Sequence, residues 1–127
     1  MIMVLTIDTG LDPYIQVSLE GKGKKVVKKI KAERSQAEKL LPTIEALFKR
    51  EQITWKKIKL IRVNDEGGSF TSLRIGVLTA NALAYALRIP IEAMSGSDVY
   101  KFKGGEVVKP RYQSEPNIGV PKKRSWG

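Results

Sequence analysis

The chain has 127 residues, of which 42% are hydrophobic, enough for one modest core and too apolar for a disordered segment. It contains neither cysteine nor histidine, which excludes disulfides, thiolate and imidazole metal sites and the commonest general base. The formal charge is +10 and is spread along the chain, so nucleic acid or an acidic protein is the expected partner class, with solubility alone as the competing reading.

Met1–Thr9 is apolar and β-branched, the pattern of a buried central strand. It has no basic start and reaches Asp8 at once, so it reads as a strand and not a signal peptide. No apolar run approaches a membrane span, and a cytoplasmic location without membrane contact is the expectation. Leu11-Asp12-Pro13 predicts a turn, and Tyr14–Leu19 alternates as a strand with one wet face. Glu20-Gly21-Lys22-Gly23 turns the chain into a third strand over Lys24–Glu33, where Val26, Val27 and Ile30 stand among five lysines. Three strands with short turns predict an antiparallel meander, with the lysine-rich strand at the edge, where charge discourages pairing with other chains.

Ser35-Gln36-Ala37-Glu38 fits a capping box, and Ala37, Leu40, Leu41, Ile44, Leu47 and Phe48 follow at helical spacing. Pro42 is expected to kink this helix or delay its regular part. Gln52–Lys59 reads as a connector with a short helical turn, and Leu60–Asn64 as a fourth strand, parallel to a neighbour through the helical crossover. A Gly-rich loop leads into a second helix over Thr71–Arg88, and Pro90–Met94 predicts a fifth strand. This order matches the half-domain shared by ribonuclease H-like nucleases and actin-like ATPases. The expected fold is α/β: one half-domain over residues 1–95, its mixed five-stranded sheet made of the meander plus two parallel strands. Residues 96–127 read as a small hairpin, with Val99–Phe102 and Val107-Val108 as arms, and a basic tail from Pro110.

Three constellations bear on chemistry. Asp8 ends the first strand and Asp65 or Glu66 follows the fourth, the placement of two metal-binding carboxylates in a ribonuclease H-like nuclease. Two-metal chemistry needs several converging acids, and no third acid faces these; turn formation is the competing reading. Asp8, Thr9 and Gly10 with Gly68 and Ser69 form a candidate phosphate loop at a helix N-terminus. The stretch lacks Gly-Lys-Ser/Thr, and a tight turn with Ser69 or Thr71 as N-cap is the preferred reading. The run Lys22, Lys24, Lys25, Lys28, Lys29 and Lys31 has no interleaved aromatic, so it suits a stand-alone RNA-binding module only through phosphates; a solvated edge is the alternative.

The second helix is apolar over roughly three quarters of its circumference, more than one sheet covers. Gly76, Ala80 and Ala84 recur every four residues, a spacing that lets another helix approach closely. A partner's helices, or the first helix of this chain, would supply the cover. The expected partner interface is Leu40, Ile44, Leu73, Gly76, Val77, Ala80, Leu83 and Ala84.

Gly68-Ser69-Phe70-Thr71-Ser72-Leu73-Arg74-Ile75-Gly76 resembles the G-P-G-S-F-T-G-L-R-I-G signature of the bacterial TsaB (YeaZ) family. Ile7-Asp8-Thr9-Gly10 resembles the family's I-D-T-S start, Gln36–Pro42 its H-S-E-x-L-L-P segment, and Ala82–Pro90 its G-L-A-x-A-L-x-I-P segment. Glu66 and Gly67 stand in place of Gly-Pro, Ser72 in place of a glycine and Gln36 in place of a frequent histidine. The second domain of the family has no counterpart; Val107–Pro116 resembles a remnant of its C-terminal Pro-x-Tyr segment, as in a truncated form. The resemblance implies a non-catalytic scaffold that dimerises through its two helices with a TsaD-like catalytic subunit, in a complex joined by a TsaE-like ATPase that makes threonylcarbamoyladenosine in tRNA. Without a partner, the apolar helix surface is expected to pair with a second copy as a two-fold homodimer. No cofactor is implied, with residual ATP or ADP binding left open at the loop.

Overall fold

The computed structural model describes residues 3–67, 69–95 and 99–100. The chain runs β1 (Met3–Asp8), β2 (Tyr14–Gly21), β3 (Lys24–Lys31), α1 (Gln36–Glu51), a 3₁₀ turn (Trp55–Lys57), β4 (Ile58–Val63), α2 (Phe70–Leu87), β5 (Ile91–Ala93) and β6 (Val99–Tyr100). The strands form one sheet in the order β3-β2-β1-β4-β5-β6. β1, β2 and β3 are the antiparallel meander, β4 is parallel to β1, and β5 is parallel to β4. The five expected strands are all present. β6 adds a sixth, antiparallel to β5, while the rest of the expected hairpin and the basic tail lie outside the described residues.

The meander is set by its turn and its alternation. Lys22 and Gly23 both have positive φ, 52° and 73°, the backbone that a two-residue hairpin needs to match strand twist. The register then pairs Leu5 with Leu19 and Ile7 with Val17, and all four are fully buried or nearly so. Met3, Leu5 and Ile7 on β1, Ile15, Val17 and Leu19 on β2, and Ile61 and Val63 on β4 make the floor of the core. α1 packs on β2 and β3, α2 packs on β1, β4 and β5, and the two helices touch each other.

The helix boundaries differ in instructive ways from the expected ones. Ser35 is the N-cap residue of α1, but its side chain makes no capping hydrogen bond. Its N–H already donates to Ala32 O at 2.9 Å, so the reciprocal half of a capping box has no free donor to serve. α1 runs through Pro42 as one element. Pro42 and Glu38 are both exposed, so the carbonyl that loses its helical donor is open to water. Both helices stop the same way. Gln52 and Arg88 take left-handed φ of 56° and 58°, and Ile53 N and Ile89 N reach back to Phe48 O and Ala84 O at 3.0 and 3.1 Å. The isoleucine that follows each cap packs against the core.

Candidate functional site

The end of β1, the loop before α2 and the N-termini of both helices meet in one polar cluster. Thr9 is fully buried. Its hydroxyl donates to Ser72 O and accepts from Gly76 N at 3.1 Å, so it sits across one turn of α2. Gly10 N donates to Asp8 Oδ1 at 2.8 Å, and Asn64 Nδ2 donates to the same oxygen at 2.9 Å. Ser69 caps α2 by accepting from Ser72 N at 3.2 Å, as one of the two expected cap residues. Gln36, the first residue of α1, donates through Nε2 to Asp12 Oδ1 and, at 3.3 Å, to Ser72 Oγ. Gly68 lies outside the described residues. Asp8, Thr9, Gly10 and Ser69 of the candidate phosphate loop thus lie in one cluster, and the polar atoms of Thr9, Gly10 and Ser69 named here are engaged within the chain. Their work in this structure is to tie α1 and α2 to β1.

The two acids of the nuclease reading go to different tasks. Asp8 holds the turn after β1 and the side chain of Asn64. Asp65 is fully buried, and its two carboxylate oxygens accept from Ser95 N at 3.1 Å and Ser95 Oγ at 2.7 Å. That pair fastens the loop after β4 to the end of β5. Glu66 is exposed, and its N–H donates to Asn64 Oδ1. Among the described residues, no three of Asp, Glu, His and Cys converge on one point.

The predicted interface residues need a correction of phase. Leu40, Ile44, Leu73, Val77, Ala80 and Ala84 are at most 4% exposed in the single chain, so they are already covered by its own sheet and helices. Gly76 is small for the sake of Thr9: a Cβ there would lie 2.5 Å from Thr9 Oγ1. Leu83 is half-buried. The stripe of small residues on α2 therefore faces inward, onto β1 and its neighbours, and not toward a partner. The apolar surface that stays outside is the opposite stripe. Leu78 is 57% and Tyr85 63% exposed, with Ala82 and Ala86 exposed beside them at positions i+4 and i+8 from Leu78. On α1, Leu41 is 41% exposed. Sequence reasoning counted these side chains as apolar but did not single them out, because periodicity gives the width of an apolar arc and not which part of it meets the sheet.

Similarity to known proteins agrees with this architecture. A family model described as TsaD, tRNA N6-adenosine threonylcarbamoyltransferase, matches residues 26–105, more than half of the chain. The tRNA threonylcarbamoyladenosine biosynthesis protein TsaB of Buchnera aphidicola subsp. Schizaphis graminum is 30% identical over 95 residues, covering 73% of this chain and 44% of the relative. The solved structure of YeaZ from Pseudomonas aeruginosa superposes with a TM-score of 0.69 at 26% identity, covering 74% of this chain and 44% of that one. A second solved structure, of an uncharacterised protein similar to the peptidase YeaZ from Pseudomonas aeruginosa, gives 0.70 at 26% identity, with coverage of 74% and 43%. The chain thus spans a little under half the length of the relatives it matches. The span matched by the family model contains both helices and the loop between β4 and α2, and by these matches the chain belongs to the TsaB (YeaZ) family.

Proposed function

We propose that this protein is a non-catalytic subunit in the formation of threonylcarbamoyladenosine in tRNA, and that it docks through its helix layer onto a TsaD-like catalytic subunit. Family membership supports the pathway. The observation that carries the docking mode is the exposed stripe Leu78, Ala82, Tyr85 and Ala86 on α2, with Leu41 on α1. Two large apolar side chains more than half exposed on one helix face are a docking feature when they lie on a layer already rigid beneath. Covering the 57% of Leu78 that is exposed contributes on the order of 1–2 kcal/mol before association costs.

In this reading α2 is a two-sided element. Its inner side, with Leu73, Gly76, Val77, Ala80 and Ala84, fixes the helix on the sheet, and its outer side meets the partner. The loop before it acts as a clamp on the helix and not as a nucleotide site. tRNA is reached through the complex, a TsaE-like ATPase joins the same assembly, and in the absence of the catalytic subunit the outer stripe pairs with a second copy of the chain. The nuclease alternative has no observation in its favour, since Asp8 and Asp65 bond to separate partners within the fold.

The test is reconstitution. The chain is mixed with the TsaD-like and TsaE-like proteins of its own source, and threonylcarbamoyl transfer to tRNA is followed. Leu78→Arg is expected to abolish stimulation while its circular dichroism and melting curve stay those of the wild type. Full activity of the Leu78→Arg mixture would remove the docking mode, and a catalytic subunit indifferent to the wild-type chain would remove the proposal.

A further inference from the structure

The lysines of β3 divide between the two faces of the sheet. Val26 and Ile30 pack against the core beneath α1, so the alternate residues Lys25, Val27, Lys29 and Lys31 stand on the face away from both helices. Lys25, Lys29 and Lys31 are exposed, and among the described residues none of the three forms an ion pair. The nearby acids are otherwise engaged: Glu20, opposite Lys25, lies 3.8 Å from Arg62, and Asp8 holds Gly10 and Asn64. β3 is the edge of the sheet, so among the described residues no further strand pairs along the row.

The fold also supplies what the lysine run lacks in sequence. Tyr14 on β2 is the register partner of Lys31, its side chain lies on the same outer face, and the residue is 39% exposed. Lys29 Nζ sits 4.8 Å from the ring centroid. Cation and aromatic thus meet across neighbouring strands, where a reading of contiguous residues found no interleaving.

We propose that this outer face of the β3 edge binds an RNA backbone, with Lys25, Lys29 and Lys31 taking phosphates and Tyr14 offering a ring for an unstacked base. Lysines two residues apart on a strand are spaced by roughly 7 Å, and their flexible stems let each ammonium reach a separate phosphate. An aromatic within a cationic row favours single-stranded nucleic acid over an acidic protein surface. A subunit docked on the helix layer would leave this face clear, so the chain can hold RNA and a partner together. The choice of tRNA as the RNA rests on the function proposed above.

The purified chain is titrated with an unmodified tRNA transcript by fluorescence anisotropy across a salt series. The wild type binds, and log K falls linearly with log salt. The triple variant Lys25→Ala/Lys29→Ala/Lys31→Ala loses at least about tenfold in affinity and lowers the salt slope by about 2–3, as expected for three lost phosphate contacts. Tyr14→Leu weakens binding with the salt slope unchanged. The charge-matched control Lys56→Ala/Lys57→Ala/Lys59→Ala, at exposed positions beyond α1, binds as the wild type. Equal losses in the two triple variants, or no binding by the wild type, would overturn the assignment. Tighter binding of phosphatidylserine vesicles than of tRNA through the same three lysines would give the edge to membranes and overturn it too. Complex formation with the TsaD-like subunit is measured in parallel on both triple variants. Retained pairing with unchanged tRNA affinity in the β3 variant sinks this inference alone, whereas absent pairing in every sample sinks the docking proposal alone.

Discussion

Thr9 carries no charge and reaches no solvent, yet its hydroxyl joins β1 to a turn of α2. The contact is close enough that Gly76 admits no side chain. Gly76→Ala is expected to destabilise the chain by about 1–3 kcal/mol, as for an added methyl in a packed core, measured by urea unfolding. Thr9→Ala clears the space, so the double variant should recover part of that loss, with a coupling of about 1 kcal/mol or more. Additive effects would show that the two residues do not meet. Ala80, fully buried, shows the same logic from the other side: arginine there would disrupt the core and say nothing about a partner. The candidate loop was legible in sequence as a group of residues, Asp8, Thr9, Gly10 and Ser69. Its role was not, because a Gly-Ser-Thr cluster before a helix has the same composition whether its donors face a phosphate or the protein's own backbone. Here they bond within the protein, Thr9 to Ser72 O and Gly10 N to the Asp8 carboxylate. Millimolar ATP should therefore leave the melting temperature unchanged, and a rise of several degrees would restore the phosphate site.

Element by element, the sequence pattern was a good guide to type and a weaker one to phase. β1 to β5 and both helices lie where periodicity puts them, and the 3₁₀ turn Trp55–Lys57 sits inside the expected connector. The reciprocal half of the capping box at Ser35 is lost because a preceding turn uses the donor it requires, a constraint set by Ala32 and invisible in a four-residue motif. The small-residue stripe of α2 marked a close approach, as its spacing implied, but the approaching group is the β1 loop and not a foreign helix. The ends of the helices offer an independent check. Gln52 holds φ of 56° in the left-handed region, which a side chain resists and glycine does not. Gln52→Gly is expected to raise stability by about 0.5–1 kcal/mol in the same denaturation assay, and a loss would mean that the residue is not left-handed in solution.

At the scale of the whole molecule the described residues form a sheet with two chemically different faces. Both helices close one face and present Leu41, Leu78 and Tyr85 outward; the other face carries the charged row of β3 and the ion pairs of Arg62 with Glu20 and Glu92. The chain order of strands and helices, the resemblance of residues 68–76 and the superposition on YeaZ agree on this architecture. The difference between the faces appears only when the register is known, because one residue of slip would exchange Val26 for Val27 and move three lysines to the helix side. The central claim is that the outer stripe of α2 is a docking surface for the catalytic subunit. Light scattering on the chain mixed with the TsaD-like protein of its source measures this directly, for the wild type and for Leu78→Arg. The account predicts a heterodimer mass for the wild type and two separate species for the variant, with both chains folded. A wild-type chain that stays apart from the subunit, or a Leu78→Arg chain that still joins it, would contradict the account.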